Sequence, residues 1–145
     1  MADMRNRDEL VERFRAEGLK VTPQRELVFR LLENNTTHPT AESVHAAAVA
    51  SMPTISLKTV YQVLHDLRDL GEIQSIEVGT GAIRFDPNVD DHHHLVCRTC
   101  GMVSDVRVDL SDLAIPSARG FGFTVDAVEV TFRGQCSNCA TLARV

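Results

Sequence analysis

Tryptophan is absent, tyrosine occurs once, and aromatic residues make up only 5% of the chain. With so few large rings, neither half of the 145 residues can build a broad core alone, so a structural metal or a partner chain is expected to help. No apolar run approaches the roughly 18 residues that a membrane helix needs, so no membrane span is expected. The first residues, MADMRNRDELVERF, are charged and contain no signal-peptide apolar core, which makes the cytoplasm the expected location. No cysteine stands outside a C-x-x-C pair. Four thiols so arranged in a cytoplasmic chain favour metal over disulfides. Positive charge is also lacking: the net charge is −5, and up to residue 80 nine Lys/Arg face twelve Asp/Glu. A nucleic-acid partner would need a local basic patch, doubled by dimerisation.

The densest chemistry lies between Phe85 and Asp105, FDPNVDDHHHLVCRTCGMVSD, with three histidines in a row, several aspartates and the first C-x-x-C pair. Upstream, the pattern is helical. Leu10, Val11 and Phe14 mark a helix over Asp8–Glu17 that ends before Gly18. Thr22 caps a second helix with Pro23 at its first position and Leu27, Val28, Leu31 and Leu32 as its buried stripe. Thr40 caps a third, carrying Val44, Ala47 and Ala48 and closed by Met52-Pro53. Ser56 opens a fourth that reaches Leu70, with Gly71 just past its end. Its apolar face is Val60, Val63, Leu64, Leu67 and Leu70, and Lys58, Thr59, Gln62 and His65 share the other face. An ordinary solvated surface helix has the same pattern. Glu72–Asp86 alternates around Gly79-Thr80-Gly81, which predicts a β-hairpin. Helices followed by a hairpin describe a winged helix-turn-helix, with helices three and four as the pair and the hairpin as the wing.

Beyond Asp86 short strands are predicted at Leu95-Val96 and Met102–Val108, then a weak helix over Leu110–Arg119 cut by Pro116. A strand over Phe123–Phe132 slips register near Asp126-Ala127, as at a bulge, and a short tail follows Cys139. The expected fold class is α+β, an N-terminal winged helix-turn-helix domain followed by a small α/β dimerisation domain. The expected parts are 1–82 for DNA binding, 83–90 as a hinge, and 91–145 for metal binding and dimerisation.

Cys97, Cys100, Cys136 and Cys139 place two thiolates on each of two tight turns, enough for a closed tetrahedral zinc site whose role is folding. Two metal-free cysteine pairs, or a dithiol redox switch, remain alternatives. In an extended segment His92 and His94 share a face while His93 points away, so the first two can bind one ion. Asp86, Asp90, Asp91 and Asp105 are the carboxylate candidates, and ligand type alone admits Fe²⁺, Mn²⁺, Zn²⁺ or Ni²⁺. A solvated polar loop is the competing reading of that cluster.

The segments LKVTPQRELV, HPTAESV, ISLKTVYQVLHDL, IRFD, DHHHLVCRTCGMVSDV and GQCSNC, in this order and spacing, resemble the ferric uptake regulator (Fur) superfamily over nearly the whole chain. The resemblance implies a homodimeric, metal-dependent transcriptional repressor with a structural Cys₄ Zn²⁺. It puts the regulatory metal on His38, Asp86, His92, His94 and Asp105, drawn from both domains and the hinge. An ion bound by all five would close the hinge and set the two winged helices at the spacing of successive major grooves.

Aspartate at both Asp86 and Asp105 is similar to the peroxide-sensing PerR branch. There, Fe²⁺ with hydrogen peroxide oxidises ligand histidines, here His38 and His92, and peroxide-defence genes are derepressed; Mn²⁺ supports repression but reacts poorly. A repressor sensing iron, zinc or nickel by occupancy alone is the alternative. Two departures stand out. Ala127 and Val128 replace a histidine used in a further family metal site, and Gln62 replaces an arginine that reads guanine. Glutamine pairs with adenine, so an A·T-rich inverted repeat of double-stranded DNA is expected, with Thr59, Tyr61 and Gln62 near the bases. Lys20, Arg25 and Lys58 are the expected phosphate contacts. A metal-dependent hydrolase would need an open coordination position and a convergent base, and the resemblance supports no residue as that base. A protein without enzymatic activity or small-molecule substrate is therefore expected.

Overall fold

The structure is a computed structural model; it describes residues 4–77, 79, 81–89, 92–114, 122–125 and 127–143. Four helices open the chain: α1 (Arg7–Ala16), α2 (Pro23–Leu32), α3 (Ala41–Ser51) and α4 (Leu57–Asp69). Each begins on a side chain that accepts the third backbone N–H, from Asn6, Thr22, Thr40 and Ser56 at 3.0, 3.2, 3.1 and 3.1 Å. At Asn6 the reciprocal bond from its own N–H to Glu9 completes a capping box. Gly18 and Gly71 end α1 and α4 in the left-handed region, at φ 73° and 75°. There the N–H groups of Leu19 and Glu72 reach back to Phe14 and Leu67, and those of the glycines to Arg15 and Arg68. That double bond pattern satisfies carbonyls the helix leaves open, and only glycine adopts the required φ without strain.

Strands β1 (Gln74–Ile76) and β2 (Arg84–Asp86) pair antiparallel as the predicted hairpin. The chain divides into two compact units, Met1–Asp90 and Asp91–Val145, so the segment 83–90, expected as a hinge, packs with the first unit. Phe85 explains why: it is 1% exposed and belongs to the same core cluster as Leu10, Phe14, Phe29, Val60, Leu64 and Leu67. Phe14 and Phe29 meet edge to face at 4.9 Å. In α2, Phe29 is buried while the predicted stripe residue Leu31 is only partly so. In α3, Ala47 is exposed and Ala41 joins Val44 and Ala48 in the core.

The second unit carries a three-stranded sheet ordered β4–β3–β5, with β3 (His93–Cys97), β4 (Val103–Val106) and β5 (Thr131–Gly134). β3 runs antiparallel to β4 and parallel to β5. Three expectations change here. Residues 110–114 make a turn rather than the start of a helix, because the Asp109 carboxylate accepts the Ser111 N–H at 2.9 Å and competes with helical bonding. Residues 115–119 of that predicted helix lie outside the described residues. The strand predicted over Phe123–Phe132 begins only at Thr131, where the chain comes alongside β3; the bulge position Asp126 lies outside the described residues. The predicted tail is instead a short helix, α5 (Ser137–Ala143).

Apolar burial is unequal. Among the described residues of the second unit only Val96, Val103, Cys97 and Cys139 are buried apolar groups, whereas Leu95, Met102, Phe123, Phe132 and Leu142 are exposed. Leu95 and Phe132 are register partners across β3 and β5. Leu64 is fully buried in the first unit, so Leu64→Ala should cost about 2–5 kcal/mol from lost transfer energy and an unfilled cavity. Urea unfolding monitored by far-UV circular dichroism measures it.

Candidate metal centres and nucleic-acid interface

The Cys97–Cys100 turn leaves β3, and Cys136 and Cys139 stand at the entry and first turn of α5. All four cysteines are free, and their sulfurs lie within 4.8 Å of one another. Sulfurs bound tetrahedrally at about 2.3 Å from one ion stand about 3.8 Å apart. Cys100 Sγ and Cys136 Sγ are 3.8 Å apart, so the donor set fits a zinc-sized ion. The N–H groups of Cys100 and Cys136 point at Cys97 Sγ from 3.5 and 3.4 Å, and with burial opposing them they bring its thiol down to about 5. The Cys139 thiol is pushed up to about 12 by donating to Cys136 and by burial.

The histidines and aspartates fall into one group in each unit. In the first, Phe85 N–H donates to the Pro39 carbonyl at 2.8 Å, Arg84 Nη1 to the His38 carbonyl at 3.1 Å, and Thr40 bridges to Arg84. These bonds hold the His38–Thr40 loop against β2, with His38 Nε2 3.2 Å from Asp86 Oδ2 and both side chains almost fully buried. His38 adopts φ 52°, a left-handed conformation uncommon outside glycine, as is frequent where a side chain is held for function. In the second unit the register pairs His94 with Asp105. His92 Nε2 and His94 Nε2 approach the same Asp105 Oδ1 at 3.0 and 3.4 Å, and the two rings lie 4.8 Å apart. Donors on one ion at about 2.1 Å are separated by about 3.0–3.4 Å, so the chemistry and spacing suit a transition metal. His93 is buried, and its Nδ1 accepts the Val130 N–H at 3.0 Å, a structural role beside β5. Asp90 and Asp91 lie outside the described residues.

On the first unit, a cleft of about 530 Å³ is lined by Lys20, Arg25, Lys58, Thr59 and Gln62, among others. It gathers five of the six residues expected at DNA. Arg25, however, is engaged within the chain: its guanidinium bonds Asp66 at 3.2 Å and the Lys20 carbonyl and lies over the Phe14 ring. The sixth, Tyr61, donates its hydroxyl to Glu42 Oε1 at 2.7 Å, tying α4 to α3. Neither Asp66 nor Glu42 is among the residues expected at DNA. Gln62 and Asp66 at i and i+4 carry a readable signal, whereas Glu42 and Tyr61 meet only through the packing of two helices.

The ferric uptake regulator family model matches residues 16–133. The chain belongs to the ferric uptake regulator family. Fur-family members are metal-dependent transcription regulators that bind DNA and act as dimers. The chain is 30% identical over 133 residues to the peroxide-responsive repressor PerR of Staphylococcus aureus, covering 91% of this chain and 90% of the relative. Its fold is similar to the Helicobacter pylori ferric uptake regulator Fur, described as having three functional metal binding sites, with a TM-score of 0.78, 19% identity and 97% of each chain covered. It is also similar to the Campylobacter jejuni peroxide stress regulator, at a TM-score of 0.64 and 27% identity, covering 90% of this chain and 98% of that one. The architecture is accordingly the Fur one, a winged helix-turn-helix domain and a small α/β dimerisation domain. Among the described residues no helix is long and apolar enough to cross a membrane.

The Tyr61 bond lowers the Glu42 carboxyl from its ordinary 4.5 and raises the Tyr61 hydroxyl from 10.0. Its contribution is present above the unfolded carboxyl value and is lost as pH falls through the depressed folded one. On the alkaline side it is present below the ordinary tyrosine value and is lost as pH rises through the raised one. Tyr61→Phe should therefore move the Glu42 titration upward, toward the ordinary value, as followed by carboxyl carbon NMR.

Proposed function

We propose that this Fur-family regulator is a repressor that senses hydrogen peroxide by oxidation of its own ligand histidines. One observation carries the reading: the carboxylates set against the histidines are both aspartates, Asp86 beside His38 and Asp105 beside His92 and His94. Similarity to a peroxide-responsive repressor and to a peroxide stress regulator supports it. His38, Asp86, His92, His94 and Asp105 together hold Fe²⁺ or Mn²⁺, and Cys97, Cys100, Cys136 and Cys139 hold a permanent Zn²⁺ that stands in for core in the second unit. Residues 1–82 bind DNA, 83–90 link, and 91–145 bind metal and dimerise through the exposed Leu95–Phe132 face.

Two α4 helices, one from each protomer of the homodimer, enter successive major grooves of an A·T-rich inverted repeat. Lys20 and Lys58 contact phosphates, and Thr59, Tyr61 and Gln62 face the bases. Arg25 acts from behind, through Asp66. Metal ligation by both units favours the domain arrangement that fits the operator. When bound, Fe²⁺ would catalyse cleavage of the peroxide O–O bond without net loss of electrons, the two that peroxide takes up coming from the imidazole, and Mn²⁺ would do so poorly. His38 or His92 then gains one oxygen at a ring carbon while the second peroxide oxygen departs as water. The altered imidazole ligates weakly, the units uncouple, and peroxide-defence genes are derepressed. The protein is a regulator in the cytoplasm rather than an enzyme. Sensing of iron, zinc or nickel by occupancy alone is the second reading, favoured by a donor set of imidazoles and carboxylates that also suits those ions.

Peroxide added to the Fe²⁺-loaded and Mn²⁺-loaded proteins separates the two. The expected result is a gain of one oxygen on His38- and His92-containing peptides in the iron form alone, with loss of DNA retardation. Unmodified histidines in both forms would leave occupancy sensing. For the zinc, Cys136→Ser should abolish one bound Zn²⁺ per chain in native mass spectrometry. It should also convert a single unfolding transition into two, the second unit melting first.

A further inference from the structure

Gln62 lies on the exposed face of α4, and the two ends of its amide are chemically opposite: Oε1 accepts and Nε2 donates. Nε2 donates to Asp66 Oδ1 at 3.0 Å, one turn along the helix. The other Asp66 oxygen, Oδ2, accepts from Arg25 Nη2 at 3.2 Å, and the two side chains retain only 15% and 18% exposure. Arg25 is itself fixed by the Lys20 carbonyl and by the ring of fully buried Phe14, 5.5 Å from its guanidinium carbon. A carboxylate has no proton to give, so only the NH₂ end of the glutamine amide can face it.

We propose that Asp66 is a specificity-determining positioning residue: anchored by Arg25, it turns the Nε2 end of Gln62 back along α4 and leaves Oε1 and one N–H for a base edge. An acceptor beside a donor is the pattern that matches N6 and N7 of adenine. The inference rests on the reading that α4 contacts DNA bases, and it goes beyond it by assigning base choice to a residue one turn removed from them. Asparagine at position 66 would offer its own NH₂ toward Gln62 once its oxygen accepts from Arg25. The Gln62 amide would then turn over, so that Oε1 meets that NH₂ and acceptor and donor exchange places along the base-facing edge, out of register with N6 and N7 of adenine. The same cleft holds Lys20 and Lys58, whose charges act without regard to sequence, so a change of amide orientation should alter preference and leave salt dependence untouched.

The test is selection of preferred sites from a random duplex library by the full-length Mn²⁺-loaded protein, with Asp66→Asn, Gln62→Met and the double variant in parallel. Wild type is expected to prefer adenine at one position in each half-site. Asp66→Asn should reduce that preference about tenfold while other positions and the salt slope hold. Gln62→Met leaves the Arg25–Asp66 pair intact and should erase the same position, and adding Asp66→Asn to it should change nothing more. Full adenine preference in Asp66→Asn would overturn the inference, as would an equal change made by Asp66→Asn in the Gln62→Met background. A wild-type protein that selects no sequence at all would overturn the base-contact reading along with it.

Discussion

Four sulfurs confined within 4.8 Å of one another are the constraint on which the second unit depends. Two N–H bonds lower the Cys97 thiol, while donation to Cys136 and burial raise the Cys139 thiol, so the four sulfurs pull against one another. A divalent cation would remove that conflict and free all four thiolates as ligands. The second unit has little else to hold it, since Val96 and Val103 are its only buried aliphatic side chains among the described residues. The proposed zinc joins the end of β3 to the start of α5 and so carries much of what a core does in the first unit.

The histidine and aspartate pairs depend on strand register in the same way. Asp105 meets His94 because β4 pairs with β3 in that register, and a one-residue slip would send it to the other face. Asp86 meets His38 because Phe85, buried beside it, draws β2 into the first core and against the His38–Thr40 loop. Each set of donors is thus assembled within its own unit by ordinary packing. In the proposed mechanism the metal adds the coupling between the sets, so its loss uncouples the units without dismantling either.

An acidic chain that binds DNA has to place its few cations well. Of the basic residues expected at phosphates, Arg25 lines the cleft with its guanidinium paired to Asp66, the carboxylate that also accepts from Gln62. Lys20 and Lys58 remain at the cleft, while Tyr61 is aligned by Glu42 on the preceding helix. In the proposed function, a face whose hydrogen-bonding ends are held by neighbours suits base choice better than raw affinity.

Helices α1 to α4 were legible because their signals are local: Thr22, Thr40 and Ser56 at the caps, Gly18 and Gly71 at the ends, and an apolar stripe through Val60, Val63, Leu64 and Leu67 between them. The thiol cluster was legible for the same reason, since a C-x-x-C turn aims both sulfurs whatever surrounds it. Beyond residue 106 sequence signals weakened. Short strands take their limits from partners rather than from their own pattern, so β5 starts where β3 receives it, and Asp109 turns the chain where a helix was expected. The sequence by itself determined which residues can donate to metal and which helix faces outward, because both follow from side-chain chemistry and period. Only the tertiary structure decided that Phe85 ties the expected hinge into the first unit and that Arg25 pairs with Asp66. Those outcomes depend on contacts between residues distant in sequence or on competition among their partners.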